Sequence, residues 1–165
     1  MDEPGGPPFA GFYQLAYVTP DIDAAQRLFA ETHGIPRFLE MRDARYPTRD
    51  GREAHCHLAL AYRGAIEIEI IQPIDGDIDF YRAFLPSPPT LVRFHHVCRL
   101  FDSRDALEAE VERLTREGRA LPINAGSSIA RYFYCDRRAD LGHFIEGIHF
   151  EEEGQRNLLA AIPRF

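Results

Sequence analysis

The chain states one pattern twice, and a doubled order of strand and helix signals restricts it to folds built from two similar halves. Gln14-Leu-Ala-Tyr-Val-Thr-Pro-Asp-Ile-Asp runs from a strand-like stretch into a helix start, and Ile66-Glu-Ile-Glu-Ile-Ile-Gln-Pro follows as another strand-like stretch. In the second half, His96-Val-Cys-Arg-Leu-Phe-Asp-Ser-Arg-Asp repeats the first arrangement and His143-Phe-Ile-Glu-Gly-Ile repeats the second. The separations nearly agree, 82 positions from Gln14 to His96 and 77 from Glu69 to Glu146. One ligand-type side chain therefore sits at each matching place: Gln14, Glu69, His96 and Glu146.

Local signals give each half the same order of elements. Residues 11 to 18 alternate, with Phe12, Gln14, Ala16 and Val18 on one face and Tyr13, Leu15 and Tyr17 on the other, which is strand chemistry. Asp21 or Asp23 can cap a helix whose apolar stripe is Ala25, Leu28 and Phe29, and Gly34 with Pro36 stops it. Strand-like segments at 37–46, 55–62 and 65–72 are separated by the turn signals Asp50-Gly51 and Arg63-Gly64. The second half predicts a strand over 93–101 and a helix over 103–117, with Leu107, Val111 and Leu114 on one face and Gly118 at its end. Strands over 119–123, 129–135 and 143–150 complete it. The organisation expected is a first βαβββ module over 11–73, a linker over 74–92 carrying a helical turn with Phe80, Tyr81 and Phe84, a second βαβββ module over 93–150, and a C-terminal extension over 151–165. Within that extension a short helix over 155–162 should pack outside the repeat, and the first ten residues, rich in Pro and Gly, should form an irregular lead.

Composition narrows the function classes. A chain of 165 residues buries a sizeable core as one domain or as two modules sharing one. The net charge of −7 is spread over both halves, which disfavours nucleic acid and anionic membrane and leaves a small molecule as the expected partner. All 19 basic residues are Arg, so a lysine Schiff base and a Walker-type phosphate loop are excluded, since both need an amine. Cys56, Cys98 and Cys135 are odd in number and far apart, which suits a reducing compartment. The start of the chain is acidic and turn-rich where a signal peptide would be basic and then apolar, and no run reaches the roughly 20 apolar residues of a membrane span. A cytoplasmic protein is expected.

Strand alternation predicts where the four donors point. Gln14 lies opposite Tyr13, Leu15 and Tyr17; Glu69, with Glu67, lies opposite Ile66, Ile68 and Ile70; His96 faces away from Val97 and Phe101; and Glu146 shares its side with Phe144 and Ile148. All four point to the face that helices leave uncovered. Singly, each has an ordinary explanation: Glu67 and Glu69 as the wet side of a half-buried sheet, His96 as a packed ring beside His95. Joint placement at corresponding points of two repeats is what favours a metal centre. An amide oxygen, an imidazole and two carboxylates suit a divalent ion of intermediate hardness, so Mg, Mn, Fe, Co, Ni and Zn all qualify. Two further tracts invite a decision. In His55-Cys56-His57 the histidines share one face and Cys56 the other, with ordinary strand packing favoured over pocket lining; in Tyr132-Phe133-Tyr134-Cys135 either pair of aromatic or thiol side chains can meet the open face.

The strand that bears a ligand and leads into a helix start (Gln14 through Asp21, His96 through Asp105), with the closing strands Glu69-Ile-Ile-Gln-Pro and Phe144-Ile-Glu146, resembles the vicinal oxygen chelate superfamily of glyoxalase I, methylmalonyl-CoA epimerase, extradiol dioxygenases and bleomycin and fosfomycin resistance proteins. The resemblance spans Phe12 to Phe150. It implies an α+β fold in which two tandem βαβββ modules form a curved mixed sheet around an open cavity, with the helices outside. It also implies that Gln14, Glu69, His96 and Glu146 hold the metal, that Glu146 is the proton-transferring base and that Glu69 is its opposite carboxylate, as in the glyoxalase I arrangement. Two departures stand out. Gln14 replaces the first His of the dioxygenase set, and Asp136-Arg-Arg-Ala-Asp-Leu-Gly142 replaces the usual Asp-Pro-x-Gly turn, with Arg137 and Arg138 read as parts of a solvated hairpin.

The function expected on these grounds is a metal-dependent glyoxalase-like lyase, isomerase or epimerase acting on a small oxygenated organic substrate through an enolate-like intermediate. A metal-free ligand-binding module of the resistance type is the alternative, and an extradiol-type dioxygenase the third. The modules of this family pair either within one chain or across a homodimer.

Overall fold

A computed structural model describes residues 11–165; the lead expected over the first ten residues lies outside the described residues. The first half runs β1 (Phe12–Val18), α1 (Ile22–His33), β2 (Leu39–Pro47), β3 (Glu53–Arg63) and β4 (Ile66–Gly76). A linker carrying α2 (Asp79–Arg82) leads to β5 (Arg93–Leu100), α3 (Arg104–Arg116), β6 (Ile123–Gly126), β7 (Ala130–Arg137), the single turn α4 (Arg138–Leu141) and β8 (His143–Phe150), with α5 (Glu152–Ala161) last. Both long helices begin as side-chain caps dictate. Of the two candidates for α1, Asp21 is the cap, its Oδ1 accepting from Ala24 N at 2.9 Å, while Asp23 pairs with Arg42. Ser103 caps α3 in the same way through Ala106 N at 3.1 Å. Gly34, at φ +64°, ends α1 in the left-handed conformation that glycine tolerates best.

Eight strands form one mixed sheet in the order β2-β3-β4-β1-β5-β8-β7-β6. In each half the first strand pairs in parallel with the last, β1 with β4 and β5 with β8, and the halves join through antiparallel β1 and β5. The pairings are symmetric. Ala16 stands beside Glu69 as Cys98 stands beside Glu146, and Gln14 stands beside Glu67 as His96 stands beside Phe144. The register thus makes Gln14 and His96 equivalent, and likewise Glu69 and Glu146.

The sheet is curled, and its two faces differ. On the outer face α1 buries Ile22, Ala25 and Phe29 against Ile68 and Ile70, and α3 buries Leu107, Val111 and Leu114 against Phe101 and Phe133. Gly147 lies under that second contact, where a Cβ would overlap the Phe133 ring and come within 2.9 Å of Phe101 Cε2, so no larger residue fits without a shift. The inner face is lined by Ala16, Val18, Cys56, Tyr132, Tyr134 and Phe144, and the linker sends Ile78, Tyr81 and Phe84 into it. Tyr132 and Tyr134 therefore meet the inner face, and Phe133 and Cys135 meet α3.

Several boundaries differ from the local signals. The strand expected over 119–123 begins at Ile123 instead and pairs from Ile123↔Tyr134 to Gly126↔Arg131. Gly118, at φ +71°, and the bond from Arg119 N to Leu114 O still belong to the end of α3, and Pro122 has no N–H for a ladder. The approach to β8 is the turn α4, in which Arg138 pairs with Asp136 and lies over the Phe144 ring, its guanidinium carbon 5.0 Å from the centroid. The C-terminal helix packs through Leu158 and Leu159 beside Leu60 and Tyr62 of β3, at the rim of the repeat.

Candidate metal centre

Three of the four predicted donors meet. Glu69 of β4, His96 of β5 and Glu146 of β8 place one ligand atom each within 4.8 Å of one another. Nε2 of His96 lies 3.0 Å from Oε2 of Glu146 and 3.5 Å from Oε2 of Glu69. Ala16 is the β1 residue registered beside both Glu69 and His96, and its methyl group leaves room for the longer side chains to converge above it. The donors come from both halves of one chain.

Gln14 stands two residues along the same face, beside Glu67 and Cys98. Its Nε2 donates to Glu67 Oε1 at 2.7 Å, which leaves its Oε1 as the free end of the amide. Among the described residues, Gln14 Oε1, Glu67 Oε2 and His96 Nε2 are the buried side-chain atoms without a hydrogen-bond partner. The His96–Glu146 approach is close enough for an ion pair but out of line for an N–H···O bond. Buried polar atoms are nearly always satisfied, so the orphaned His96 Nε2 beside two carboxylates fits a cation at this position, and Gln14 Oε1 is a second orphan two residues along the same face of β1 from Ala16. The donor set is mixed oxygen and nitrogen, as a divalent ion of intermediate hardness requires.

Electrostatics point the same way. Burial alone would pull the His96 imidazole down, but the close oxygens and charges of Glu146 and Glu69 outweigh it and push the group up to about 9. Burial raises the Glu69 carboxyl, His96 opposes, and Glu146 adds to the rise. The pair of carboxylates demands positive charge, supplied by a proton on His96 or by a metal ion in its place.

Two β-bulges bring side chains here that alternation sends elsewhere. Between β1 and β5 the register slips once at Tyr13 and once at His95, the residues directly before Gln14 and His96. A bulged residue is re-aimed. His95 turns to the inner face with His96, fully buried, its ring 4.9 Å from that of Tyr81 and its Nδ1 2.8 Å from His96 Nδ1. Tyr13 turns inward too, with its hydroxyl 3.9 Å from Cys98 Sγ. The alternating pattern placed Tyr13 on the helix side; the bulge overturns that. Around the cluster, Tyr134 packs 4.7 Å from the His96 ring, and a chain of hydroxyls runs from Tyr46 to Tyr81 at 2.8 Å and from Tyr81 to Tyr134 at 3.0 Å.

Glu67 is a member of the site that an alternating strand disguises. Read alone, it is the wet side of a half-buried sheet; in the fold it is 2% exposed. Burial pushes its carboxyl up to about 7, against the Gln14 amide and the Tyr62 hydroxyl beside it, with Glu69 and Glu146 reinforcing the rise. A carboxyl raised in the folded state holds its proton there at pH values where the unfolded chain has lost it. Its contribution to stability is present below the unfolded value near 4.5 and is lost as pH rises to about 7. At about 1.4 kcal/mol per unit, metal-free Glu67→Gln is expected to exceed the wild type by up to about 3 kcal/mol at pH 8 and to match it at pH 4. Urea unfolding in the presence of a chelator at the two pH values checks this, and an equal difference at both would show that Glu67 does not titrate in that window.

The His55-Cys56-His57 tract divides as alternation predicts. Cys56 faces inward and accepts from the Tyr46 hydroxyl at 3.4 Å. His55 lies 3.0 Å from Asp43 and 3.1 Å from Asp75 on the other side, and neither histidine joins the metal cluster. A surface cleft lined by Leu39, Met41, Ile129 and Leu158 lies between β2 and α5 and shares no residue with the donor set.

Comparison with known proteins bears on the family and the fold. The profile described as the glyoxalase/bleomycin resistance protein/dioxygenase superfamily matches residues 13–133. Among solved structures, the methylmalonyl-CoA epimerase of Mycobacterium tuberculosis is 15% identical over 91% of each chain, with a TM-score of 0.55. A variant of the Streptomyces coelicolor methylmalonyl-CoA epimerase in complex with 2-nitronate-propionyl-CoA is 15% identical, with a TM-score of 0.54 over 84% of this chain and 95% of that one. A hypothetical protein from Bacillus halodurans C-125 aligns at 12% identity and a TM-score of 0.51, over 86% of this chain and 94% of that one. At these identities the likeness is one of fold. No curated protein matches.

Proposed function

The chain belongs to the glyoxalase/bleomycin resistance protein/dioxygenase superfamily, and on that premise we propose that it is a metal-dependent enzyme of the isomerase, epimerase or glyoxalase-lyase type. The observation that carries the reading is the convergence of Glu69, His96 and Glu146 on a buried imidazole nitrogen without a hydrogen-bond partner. A metal-free module that sequesters an aromatic or cationic ligand is the rival reading; for an aromatic ligand it gains nothing from burying these carboxylates, because each costs free energy unless a cation compensates it, and His96 offers one proton against two carboxylates.

In this reading Glu69, His96, Glu146 and the free Oε1 of Gln14 hold the ion, which when bound supplies Lewis-acid polarisation of a substrate oxygen. The substrate is a small oxygenated compound with an acidic C–H beside a carbonyl. Glu146 removes the proton at that carbon, since its carboxylate stands at the cluster, 8% exposed, among apolar side chains. Glu69, the equivalent carboxylate of the other half, would also hold the ion, and as the second carboxyl of the cluster it would supply the proton that returns to the opposite face of the carbon. Gln14 is itself held by Glu67, whose oxygen fixes the amide with Nε2 turned away from the ion. Tyr134 and Phe144 exclude water from the reacting side of His96. Epimerisation is the preferred reaction within this class, because an epimerase needs only removal of a proton at one carbon and its return to the opposite face, which two carboxyl groups can share, and epimerases share the fold. No helix among the described residues is long and apolar enough to cross a membrane, and we place the enzyme in the cytoplasm, acting on a soluble small molecule, as a monomer or a homodimer.

The test is elemental analysis of protein purified without added metal, followed by a solvent-deuterium screen over carboxylic thioesters and 2-oxo compounds. About one divalent metal per chain and deuterium uptake beside the carbonyl are expected. Protein with neither bound metal nor measurable metal affinity would be a binding module, and oxygen uptake with catechols and ferrous iron would make it a dioxygenase.

A further inference from the structure

We infer that His95 is a positioning residue: anchored on the Phe80 carbonyl of the linker, it sets which nitrogen of His96 faces the metal position. This rests on the metal reading above and adds to it a residue outside the donor set. His95 Nε2 lies 3.2 Å from Phe80 O, and His95 Nδ1 lies 2.8 Å from His96 Nδ1. A carbonyl oxygen only accepts, so His95 Nε2 carries a proton and donates it. The rings of Tyr81, Phe84 and Phe144 each lie 4.9 Å from that of His95, with His96 at 5.1 Å and Tyr134 at 6.0 Å, buried and largely apolar surroundings that favour the neutral ring with one proton. Its Nδ1 is therefore a lone pair, and the proton in the 2.8 Å contact belongs to His96 Nδ1. That leaves Nε2 of His96, 3.0 Å and 3.5 Å from Glu146 and Glu69, as the nitrogen available to bind.

The direction of the relay is set by backbone. Metal-binding histidines usually hand their second N–H to a carboxylate, a carbonyl or water; here a second imidazole stands between, and its far end is fixed by the segment that joins the two halves. Among the described residues, His95 is the hydrogen-bonding partner on the Nδ1 side of His96 that specifies the tautomer. The alternative would put the proton on Nε2, the nitrogen that faces Glu146 and Glu69, where it would occupy the lone pair that the ion needs. The β-bulge at His95 is what makes the relay geometrically feasible, since in an unbroken ladder His95 would project to the outer face.

Zinc serves as a diamagnetic probe for the experiment. In protein carrying nitrogen-15 histidine, His95 should show a protonated Nε2 and an unprotonated Nδ1, and His96 should keep its Nδ1 proton when zinc is bound. His95→Leu should weaken zinc binding about 10–100-fold, the usual effect of losing such a partner. His95→Gln, whose carbonyl accepts from His96 and whose amide donates to Phe80, should restore most of that affinity. A proton on His95 Nδ1, wild-type affinity in His95→Leu, or no rescue by His95→Gln would each overturn the inference and leave the metal reading standing. Failure of the wild type itself to bind zinc or any other divalent ion would instead remove the metal reading, and this inference with it. The nitrogen shifts need no substitution, so the outcome does not depend on how well a variant folds.

Discussion

Glu146→Gln is expected to slow proton exchange at the substrate carbon about 10²–10⁴-fold, the usual contribution of a positioned general base, while the metal content of the purified protein stays near that of the wild type. Glutamine keeps the volume and one carbonyl oxygen toward the ion, but it cannot accept the substrate proton. In the proposed mechanism its surroundings favour Glu146 over Glu69 as the base. It is registered beside Tyr134 of β7, with Phe144 two positions along the same strand, so its carboxylate stands among aromatic side chains. Its counterpart Glu69 is registered beside Ala16 and Leu60, with no aromatic partner in the ladder. Solvent-deuterium uptake measured with elemental analysis on the same samples separates loss of chemistry from loss of metal, and an unchanged exchange rate would remove Glu146 from the mechanism.

The second large effect concerns the metal itself. Adding a divalent ion to chelator-stripped protein at about a hundred times its dissociation constant is expected to stabilise the fold by about 2.7 kcal/mol. For a chain of this size that is a rise in Tm of about 5–10 °C. His96→Ala should abolish the rise, because removing a first ligand exceeds the 10–100-fold effect of losing an outer partner and leaves Glu69 and Glu146 facing each other. The sign of the pH dependence follows from His96. In metal-free protein its imidazole is pushed up to about 9, so a metal ion must displace that proton. Affinity should therefore fall as pH falls below about 9, by about tenfold per unit for one displaced proton. Calorimetric scans with and without metal, and chelator competition between pH 6 and 8, measure both. A full Tm rise in His96→Ala, or an affinity independent of pH, would place the ion elsewhere.

Much of the fold is legible in the residues because both levels of the pattern are local. A strand of Ile-Glu-Ile-Glu-Ile alternates whether or not its partner is known, and Asp21 and Ser103 cap their helices through residues three positions on. The equivalence of Gln14 with His96, and of Glu69 with Glu146, follows from sequence spacing and is repeated in the strand register. The misreadings have a common origin. The sixth strand begins after Pro122 because the preceding residues still satisfy the end of α3, a matter of hydrogen bonds across several residues. Glu67 looks like a solvated carboxylate because burial depends on what covers a strand, here Gln14 from the neighbouring strand and Tyr62 from β3. Tyr81 and Phe84 read as linker residues, yet they fill the inner face, since nothing in a Pro-rich segment says where it folds back.

The sequence alone determined the twofold order of elements, the face on which each donor lies and the chemical type of the set, because alternation and capping act within a few residues. Only the tertiary structure decided that Glu69, His96 and Glu146 meet, that Gln14 presents its oxygen because Glu67 takes its amide nitrogen, and that His95 and Tyr13 join them. These outcomes depend on the register between strands far apart in the chain, and a bulge of one residue, set by the hydrogen bonding of the partner strand, reverses the direction of a side chain that the local pattern assigns to the other face.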